Sequence, residues 1–275
     1  GSVPLEILFY DIGSQAGNSG SPVQTTTDES KVIFDKTKPR ITQASFLSNN
    51  TYGDSLAKVN DVGTINVVLD EKLRSISTIV DGDSIIMNGA NQNFSYNYSF
   101  SDSNDNGRIL LSMLALDSAS NQADTIIDRI YFDKTAPQLS AIFEGSINED
   151  KVYSKHGDSL QLSWQKVELE SGLKRAYIGL GSDSGLVDVV NWTMASGDDE
   201  SSLTSINLQN NSKYYGSIYL EDNVGNISDS LWGNGITIDL TPPVVGDVWD
   251  GFLDEDIDYT ADSTQLFIRW KNFTD

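Results

Sequence analysis

The chain has 275 residues with 40 acidic and 18 basic side chains, one histidine, no cysteine and a formal net charge of −22. Such an excess of carboxylates repels nucleic-acid phosphates and anionic membrane surfaces, so neither is expected as a partner. The lack of cysteine excludes disulfides, thiolate zinc sites and cysteine nucleophiles. No apolar run approaches the roughly 18 residues of a membrane-spanning helix, so no membrane insertion is expected in this segment.

The acidic charge has two explanations, which the composition leaves open. Excess carboxylates keep a long exposed protein soluble and apart from its copies. Alternatively, clustered carboxylates bind Ca²⁺, because they repel one another until a divalent cation joins them. Ca²⁺ is therefore the cofactor that the sequence suggests.

The apolar residues alternate with a period of two, and Gly, Asn, Asp and Ser interrupt them about every eight to twelve residues. Helix signals are nearly absent. Clear examples of the alternation lie at residues 64–69, 94–100 and 160–164. In the second of these, four aromatic residues share one face of the predicted strand, and Ser and Asn share the other. The pattern predicts an all-β protein.

One phrase occurs three times along the chain. Phe-Asp-Lys-Thr-x-Pro stands at residues 34–39 and 132–137, and it returns as Ile-Asp-Leu-Thr-Pro-Pro at residues 238–243. The copies start 98 and 106 residues apart. That spacing is too long for a solenoid turn and suits one β-sandwich domain. The proline of each copy fixes φ and lacks an N–H, which stiffens the crossing into the next module.

The repeat predicts a tandem array of four pieces. Residues 1–38 are the closing strands of a truncated module, 39–137 and 138–243 are whole modules, and 244–275 are the opening strands of another truncated module. Each partial module is expected to expose apolar faces and open strand edges. We therefore expect the ends to pack on neighbouring modules of the same chain or on another copy.

The ends of the modules carry a family resemblance. The turn Asp-x-(Ala/Val)-(Gly/Ser)-Asn, at residues 117–121 and 222–226, precedes Asp-x-Thr-x-Pro and resembles bacterial immunoglobulin-like repeats of large surface proteins. Residues 39–137 fit this type. Residues 138–243 are more similar to a fibronectin type III module through Trp164, Tyr177 and the spacing from Leu208 to Tyr214, and Trp270 suggests the same type for the last piece. In such sandwiches the tyrosine hydrogen-bonds back across the corner.

The resemblance implies a non-catalytic structural or adhesive spacer of a bacterial cell-surface or secreted protein, with no catalytic residue. The lack of cysteine also favours a bacterial origin, since secreted eukaryotic arrays of this length often carry disulfides. The alternative is an accessory or carbohydrate-binding region of a secreted polysaccharide-degrading enzyme. A surface glycan or protein is therefore an expected partner. A sugar-stacking platform would draw on exposed aromatic residues, and the alternative is that these pack in cores or at a junction: Tyr52, Trp192, Trp232, Trp249 and Phe252.

The first candidate calcium site is the segment from Asp102 to Gly107. Asp102, Asn104 and Asn106 fall at positions 1, 3 and 5 of a calcium loop, where alternate oxygens converge on one ion. Position 12 is Met113, where the calcium loop would have a bidentate glutamate. An Asp/Asn-rich hairpin loop without an ion is therefore the alternative.

A second candidate lies near the end of the chain. Asp254, Asp256 and Asp258 alternate, so an extended chain places them on one side, close to Asp262. Carboxylates at such spacing repel one another unless water or a cation lies between them. The alternatives are a cation site and a solvated acidic loop.

A third candidate class lies at the junctions between modules. Asp133 and Asp239 precede the linkers, and loops carrying further acids are expected to reach them: Glu71, Asp117, Glu168, Glu170 and Asp222. A cation at such a junction would convert a hinge into a rod. The alternative is that these Asp side chains accept hydrogen bonds from local backbone N–H groups.

Overall fold

The computed structural model describes residues 4–10, 19–167, 170–251 and 256–275, and these residues form strands, bridges and turns without a helix. The predicted all-β class of tandem sandwiches is confirmed. Within the described ranges no helix is long and apolar enough to cross a membrane. The chain divides into two compact units, residues 1–135 and 136–275.

The first unit contains two sheets whose neighbouring strands are mostly antiparallel. One has the order β1-β3-β7-β6 and the other has the order β2-β9-β8-β4-β5. Its strands are β1 Ile41–Ser48, β2 Leu56–Ala57, β3 Val62–Leu69, β4 Leu73–Val80, β5 Asp83–Ile85, β6 Asn88–Ala90, β7 Asn93–Ser99, β8 Gly107–Asp117 and β9 Gln122–Phe132.

The core of the first unit lies between these sheets and is rich in aromatic rings. Phe100 stacks on Phe46 and on Phe132, with ring centroids 6.2 and 5.6 Å apart. Gly63 makes this packing possible, because a Cβ there would lie 2.4 Å from the Phe46 ring. The inward positions of β3 alternate with exposed ones, as a strand buried on one face requires.

The second unit repeats the two-sheet plan. One sheet has the order β10-β12-β15, and the other has the order β11-β18-β16-β13-β14 with β17 paired to β16. Its strands are β10 Gln138–Phe143, β11 Tyr153–Ser154, β12 Ser159–Val167, β13 Leu173–Gly181, β14 Val190–Met194, β15 Glu200–Thr204, β16 Lys213–Asp222, β17 Leu231–Trp232, β18 Ile236–Ile238, β19 Asp247–Asp250 and β20 Ile268–Lys271. The last two strands form a separate antiparallel hairpin.

Trp164 lies at the centre of the second core. Its side chain is fully buried, and its Nε1–H donates to the backbone oxygen of Asp198 at 2.9 Å. Tyr177 instead lies half-buried on the outer face of β13, where its ring stacks on that of Tyr219 at 4.8 Å. The two buried clusters span residues 46–132 and 142–238, so each unit has a core of its own.

The segments at both ends of the chain present apolar side chains to solvent. Ile7 pairs with Val23 through an isolated bridge, and Ile33 is 71% exposed. Near the other end, Trp270 on β20 is 71% exposed and Tyr259 is 93% exposed. The division of the chain into pieces 1–38, 39–137, 138–243 and 244–275 stays a prediction, as do the partners of the end pieces.

Candidate metal centre

Three carboxylates from distant parts of the chain meet beside the first linker, which we define as residues 35–39. Asp35 belongs to the linker, Glu71 to the turn between β3 and β4, and Asp117 to the end of β8. One carboxylate oxygen of each lies within 4.8 Å of the others. Asp117 is 1% exposed, and the other two are half-buried. We call these three residues the linker cluster.

The turn after β8 holds the linker in place. Asp117 Oδ1 accepts hydrogen bonds from the backbone N–H groups of Ala119 at 2.8 Å and Asn121 at 2.9 Å. Asn121 Nδ2 donates to Asp117 Oδ2 at 2.8 Å. The same amide nitrogen donates to the backbone oxygens of Asp35 at 3.2 Å and Thr37 at 3.1 Å. One side chain therefore joins the turn of the sandwich to the linker.

The linker cluster is acidic and has no basic partner among the described residues. In the described ranges, no lysine or arginine forms an ion pair with Asp35, Glu71 or Asp117. Desolvation raises the pKa of Glu71, and the nearby charges of Asp117, Asp35 and Asp70 raise it further. Burial also acts to raise the pKa of Asp117, but hydrogen bonds from Asn121 and from the turn's backbone outweigh it and lower that pKa.

Sequence reasoning named two members of the linker cluster and missed the third. Glu71 and Asp117 were expected to reach the linkers that follow Asp133 and Asp239, whereas the structure brings them together at the first linker, beside Asp35. Asp35 was not among the expected ligands. It occupies the same position in the repeated phrase as Asp133 and Asp239, so aligning the three copies would have identified it.

The three remaining junction aspartates, Asp133, Asp222 and Asp239, make local contacts. Asp133 and Asp222 are buried, and Glu170 is exposed. Glu168 lies outside the described residues. Asp133 accepts a hydrogen bond from the backbone N–H of Thr135, and Asp239 accepts one from that of Thr241. Asp222 accepts hydrogen bonds from the three backbone N–H groups of Val224, Gly225 and Asn226. A cation at these positions stays a prediction.

Asn104, in the candidate calcium loop, is 4% exposed, and its side chain hydrogen-bonds to the core residue Tyr98. Its Nδ2 donates to Asp81 Oδ2 at 2.7 Å and to the Tyr98 hydroxyl at 2.5 Å. Its Oδ1 accepts the backbone N–H of Ser101 at 3.0 Å. The side-chain groups of Asn104 are therefore engaged in hydrogen bonds within the first unit.

The ammonium group of Lys134 lies on the backbone of the same loop. It donates to the backbone oxygens of Asp102 at 2.9 Å and Asn104 at 2.7 Å. Asn106 Oδ1 accepts the Lys134 backbone N–H at 2.8 Å, and Asn106 Nδ2 donates to Thr135 Oγ1 at 2.6 Å. A protein cation thus already holds oxygens of this loop, and Ca²⁺ binding by Asp102, Asn104 and Asn106 stays a prediction.

The acidic segment near the end of the chain is described only in part. Asp254 lies outside the described residues, and Asp256 and Asp258 are exposed. Asp256 Oδ1 accepts the backbone N–H of Asp250 at 3.1 Å. A side-chain hydrogen bond between these two carboxyls raises the pKa of Asp250 and lowers that of Asp256. Calcium binding by Asp254, Asp256 and Asp258 stays a prediction.

The predicted aromatic platform has one local counterpart. Trp192 lies half-buried outside the second core and meets Tyr219 edge-on, with ring centroids 4.8 Å apart. Trp232 and Tyr52 are 38% and 37% exposed, and Trp249 is half-buried. Phe252 lies outside the described residues. An aromatic group of Trp192, Tyr177 and Tyr219 therefore stands on the outer face of β13, β14 and β16.

No protein-family model and no curated protein sequence matches the chain. Among solved structures, domains A168–A170 of titin align at 12% identity over 85% of this chain and 89% of that chain, with a TM-score of 0.46. A 1.5-MDa bacterial ice-binding adhesin aligns at 13% identity over 79% and 70%, with a TM-score of 0.40. A Ca²⁺-stabilized adhesin of an Antarctic bacterium aligns at 12% identity over 90% and 59%, with a TM-score of 0.41. At these scores the fold assignment rests on the sheets themselves, and the alignments carry no functional argument.

Proposed function

We propose that this chain is a non-catalytic structural or adhesive spacer of a bacterial cell-surface or secreted multi-domain protein, and that Ca²⁺ stiffens it. The observation that carries the proposal is the attachment of the first linker to the sandwich that follows it. Asn121 joins the turn after β8 to two backbone oxygens of the linker, at 3.1 and 3.2 Å. A spacer needs such restraint, because free linkers act as hinges.

Further contacts restrain the end of the same linker. Pro39 is buried, has a fixed φ and lacks an N–H. The backbone N–H of Arg40 donates to Asp70 Oδ1 at 2.7 Å. Asp70 precedes Glu71, so the turn between β3 and β4 lies beside the chain on both sides of Pro39. These contacts favour one path for the linker.

The linker cluster is where we propose that Ca²⁺ acts. Ca²⁺ takes oxygen ligands, and Asp35, Glu71 and Asp117 supply carboxylate oxygens within 4.8 Å of one another. A divalent cation among them would remove their mutual repulsion. Because Asp35 lies in the linker and the other two lie in the sandwich, the ion would add a direct bond between linker and module.

Thermal unfolding of the whole chain in Ca²⁺ and in chelator tests the calcium part of the proposal. A ligand of the native state stabilises it by mass action, so the Tm of the first unit should rise in Ca²⁺. Glu71→Gln should abolish this rise and should raise the Tm in chelator, because it removes one repelling charge. Glu149→Gln, in the second unit, is the matched control and should leave the rise intact.

Two results would count against the calcium part. One is an unchanged Tm at about 10 mM Ca²⁺, a concentration that saturates weak extracellular sites. The other is a full Ca²⁺ response in the Glu71→Gln variant, which would move the ion to another site, such as the loop of Asp102. The spacer part is tested separately by labelling intact source cells with antibodies against this chain. Signal only after lysis would reject a surface location.

A second candidate function is carbohydrate binding in an accessory region of a secreted enzyme. The observation that favours it is the aromatic group of Trp192, Tyr177 and Tyr219 on a sheet face that is otherwise expected to be polar. A glycan array with the whole chain tests this function. Trp192→Ala should remove any binding, whereas Trp249→Ala should keep it.

A further inference from the structure

Glu144 is a fully buried carboxyl between the two sheets of the second unit. It directly follows β10, and its exposure is 0%. Its Oε1 accepts the backbone N–H groups of Gly216 at 2.9 Å, on β16, and Gly235 at 3.3 Å, just before β18. Its Oε2 is buried and has no hydrogen-bond partner among the residues that the structure describes. One side chain therefore connects the end of β10 to the opposite sheet.

Glycines provide the space for this carboxyl. A Cβ at Gly233 would lie 2.0 Å from Glu144 Oε1, and one at Gly216 would lie 3.4 Å from the same oxygen. Gly235 has a φ of +88°, a conformation that side chains rarely adopt. The carboxyl thus lies against bare backbone, and water is kept from its second oxygen.

The charged groups around Glu144 do not compensate an ionised carboxylate. In the described residues, no lysine, arginine or histidine forms an ion pair with it. Asp150 faces it from the following loop, with Oδ1 accepting the Glu144 N–H at 3.1 Å. Lys151 donates its backbone N–H to the Glu144 carbonyl at 3.0 Å. Lys213 of β16 places its ammonium over the Tyr215 ring, at 5.2 Å.

These surroundings favour the neutral form of the side chain. Burying an unpaired carboxylate costs far more than burying a neutral acid. Desolvation raises the pKa of Glu144, and the charge of Asp150 raises it further, against the opposing effect of the two glycine N–H groups. A cavity of about 270 Å³, lined by Glu144, Lys151 and His156 among others, lies beside the residue.

We propose that Glu144 is a proton-controlled clamp of the second unit: its neutral side chain holds β10 to β16 and to the segment before β18, and ionisation destabilises the unit by placing an uncompensated charge in its core. The proposal is independent of calcium and of the linker cluster. The sign of its effect follows from linkage. In the unfolded chain a glutamate ionises near 4.5. The stabilisation that Glu144 gives the second unit is therefore complete below about pH 4.5 and is lost as the pH rises through the higher folded-state pKa.

NMR titration of the unmodified whole chain, in chelator, tests the clamp without any variant. The amide signals of Gly216 and Gly235 report the charge on Glu144, because both N–H groups donate to its Oε1. We expect them to shift together with a midpoint clearly above 4.5. A midpoint at or below 4.5, or no common titration, would overturn the proposal.

Thermal unfolding between about pH 4 and pH 8 gives a second test. Glu144→Gln mimics the neutral acid and cannot ionise. Relative to this variant, the Tm of the unmodified second unit should fall by about 5 °C or more across the range. Asp150→Asn should move the midpoint of the fall to lower pH, because it removes a neighbouring negative charge. Parallel pH profiles of the Gln variant and the unmodified chain would contradict the clamp, and if that variant fails to fold, the NMR titration decides.

Discussion

The hydroxyl of Tyr214 accepts a hydrogen bond from the backbone N–H of Gln209 at 2.9 Å. Tyr214 is 7% exposed, and Leu208, just before the bonded N–H, is 2% exposed. The bond closes the corner through which the chain enters β16. The resemblance of residues 138–243 to fibronectin type III modules predicts this bond from the spacing of Leu208 and Tyr214, and the structure contains it.

Removal of the Tyr214 hydroxyl should destabilise the second unit. Tyr214→Phe leaves the ring in place but deprives the Gln209 N–H of its acceptor, at a cost of about 1 kcal/mol. Denaturant unfolding of the second unit measures this. Tyr215→Phe is the matched control, because the neighbouring hydroxyl has no hydrogen bond in the described part of the chain. Equal losses in the two variants would contradict a special role for the corner.

Truncation of Trp164 should unfold the second unit selectively. Trp164→Ala removes a fully buried indole from the core, which costs about 3–5 kcal/mol. The first core contains none of the residues that pack around Trp164, so the calorimetric transition of the first unit should persist. Trp192→Ala, on the outer face, should cost less. Loss of both transitions together would show that the two units do not unfold independently.

The strands were predictable because their signal is local. The alternation at residues 64–69 reappears as the buried and exposed positions of β3. The linker cluster was predictable only in part, since convergence of Asp35 on Glu71 and Asp117 depends on the path of the linker as well as on the turns. Nothing near Glu144 in the sequence marks it as buried. Its environment comes from glycines about 70 to 90 residues further along, and only the folded chain brings them together.

The role of Asn104 was also outside the reach of sequence reasoning, and it leads to a prediction that separates structure from metal binding. Asn104→Ala should destabilise the first unit by about 1–3 kcal/mol, because Asp81 and Tyr98 lose a buried donor. The loss should be the same in Ca²⁺ and in chelator. Asn106→Ala, at a less buried position of the same loop, should cost less. A loss that appears only in Ca²⁺ would support the calcium-loop interpretation instead.

Replacement of Asn121 should free the first linker without unfolding the sandwich. Asn121→Ala removes the donor that binds the backbone oxygens of Asp35 and Thr37, while backbone N–H groups still hold Asp117. Hydrogen–deuterium exchange of the peptide spanning residues 34–40 should accelerate about fivefold, which corresponds to the loss of one net hydrogen bond. Arg74→Ala removes a different bond in the same turn, from Arg74 to Ser120, and should leave the exchange of this peptide unchanged. Acceleration in both variants would mean that the whole turn, and not the Asn121 amide, restrains the linker. Unchanged exchange in Asn121→Ala would show that this amide does not restrain the linker, and it would contradict the spacer proposal.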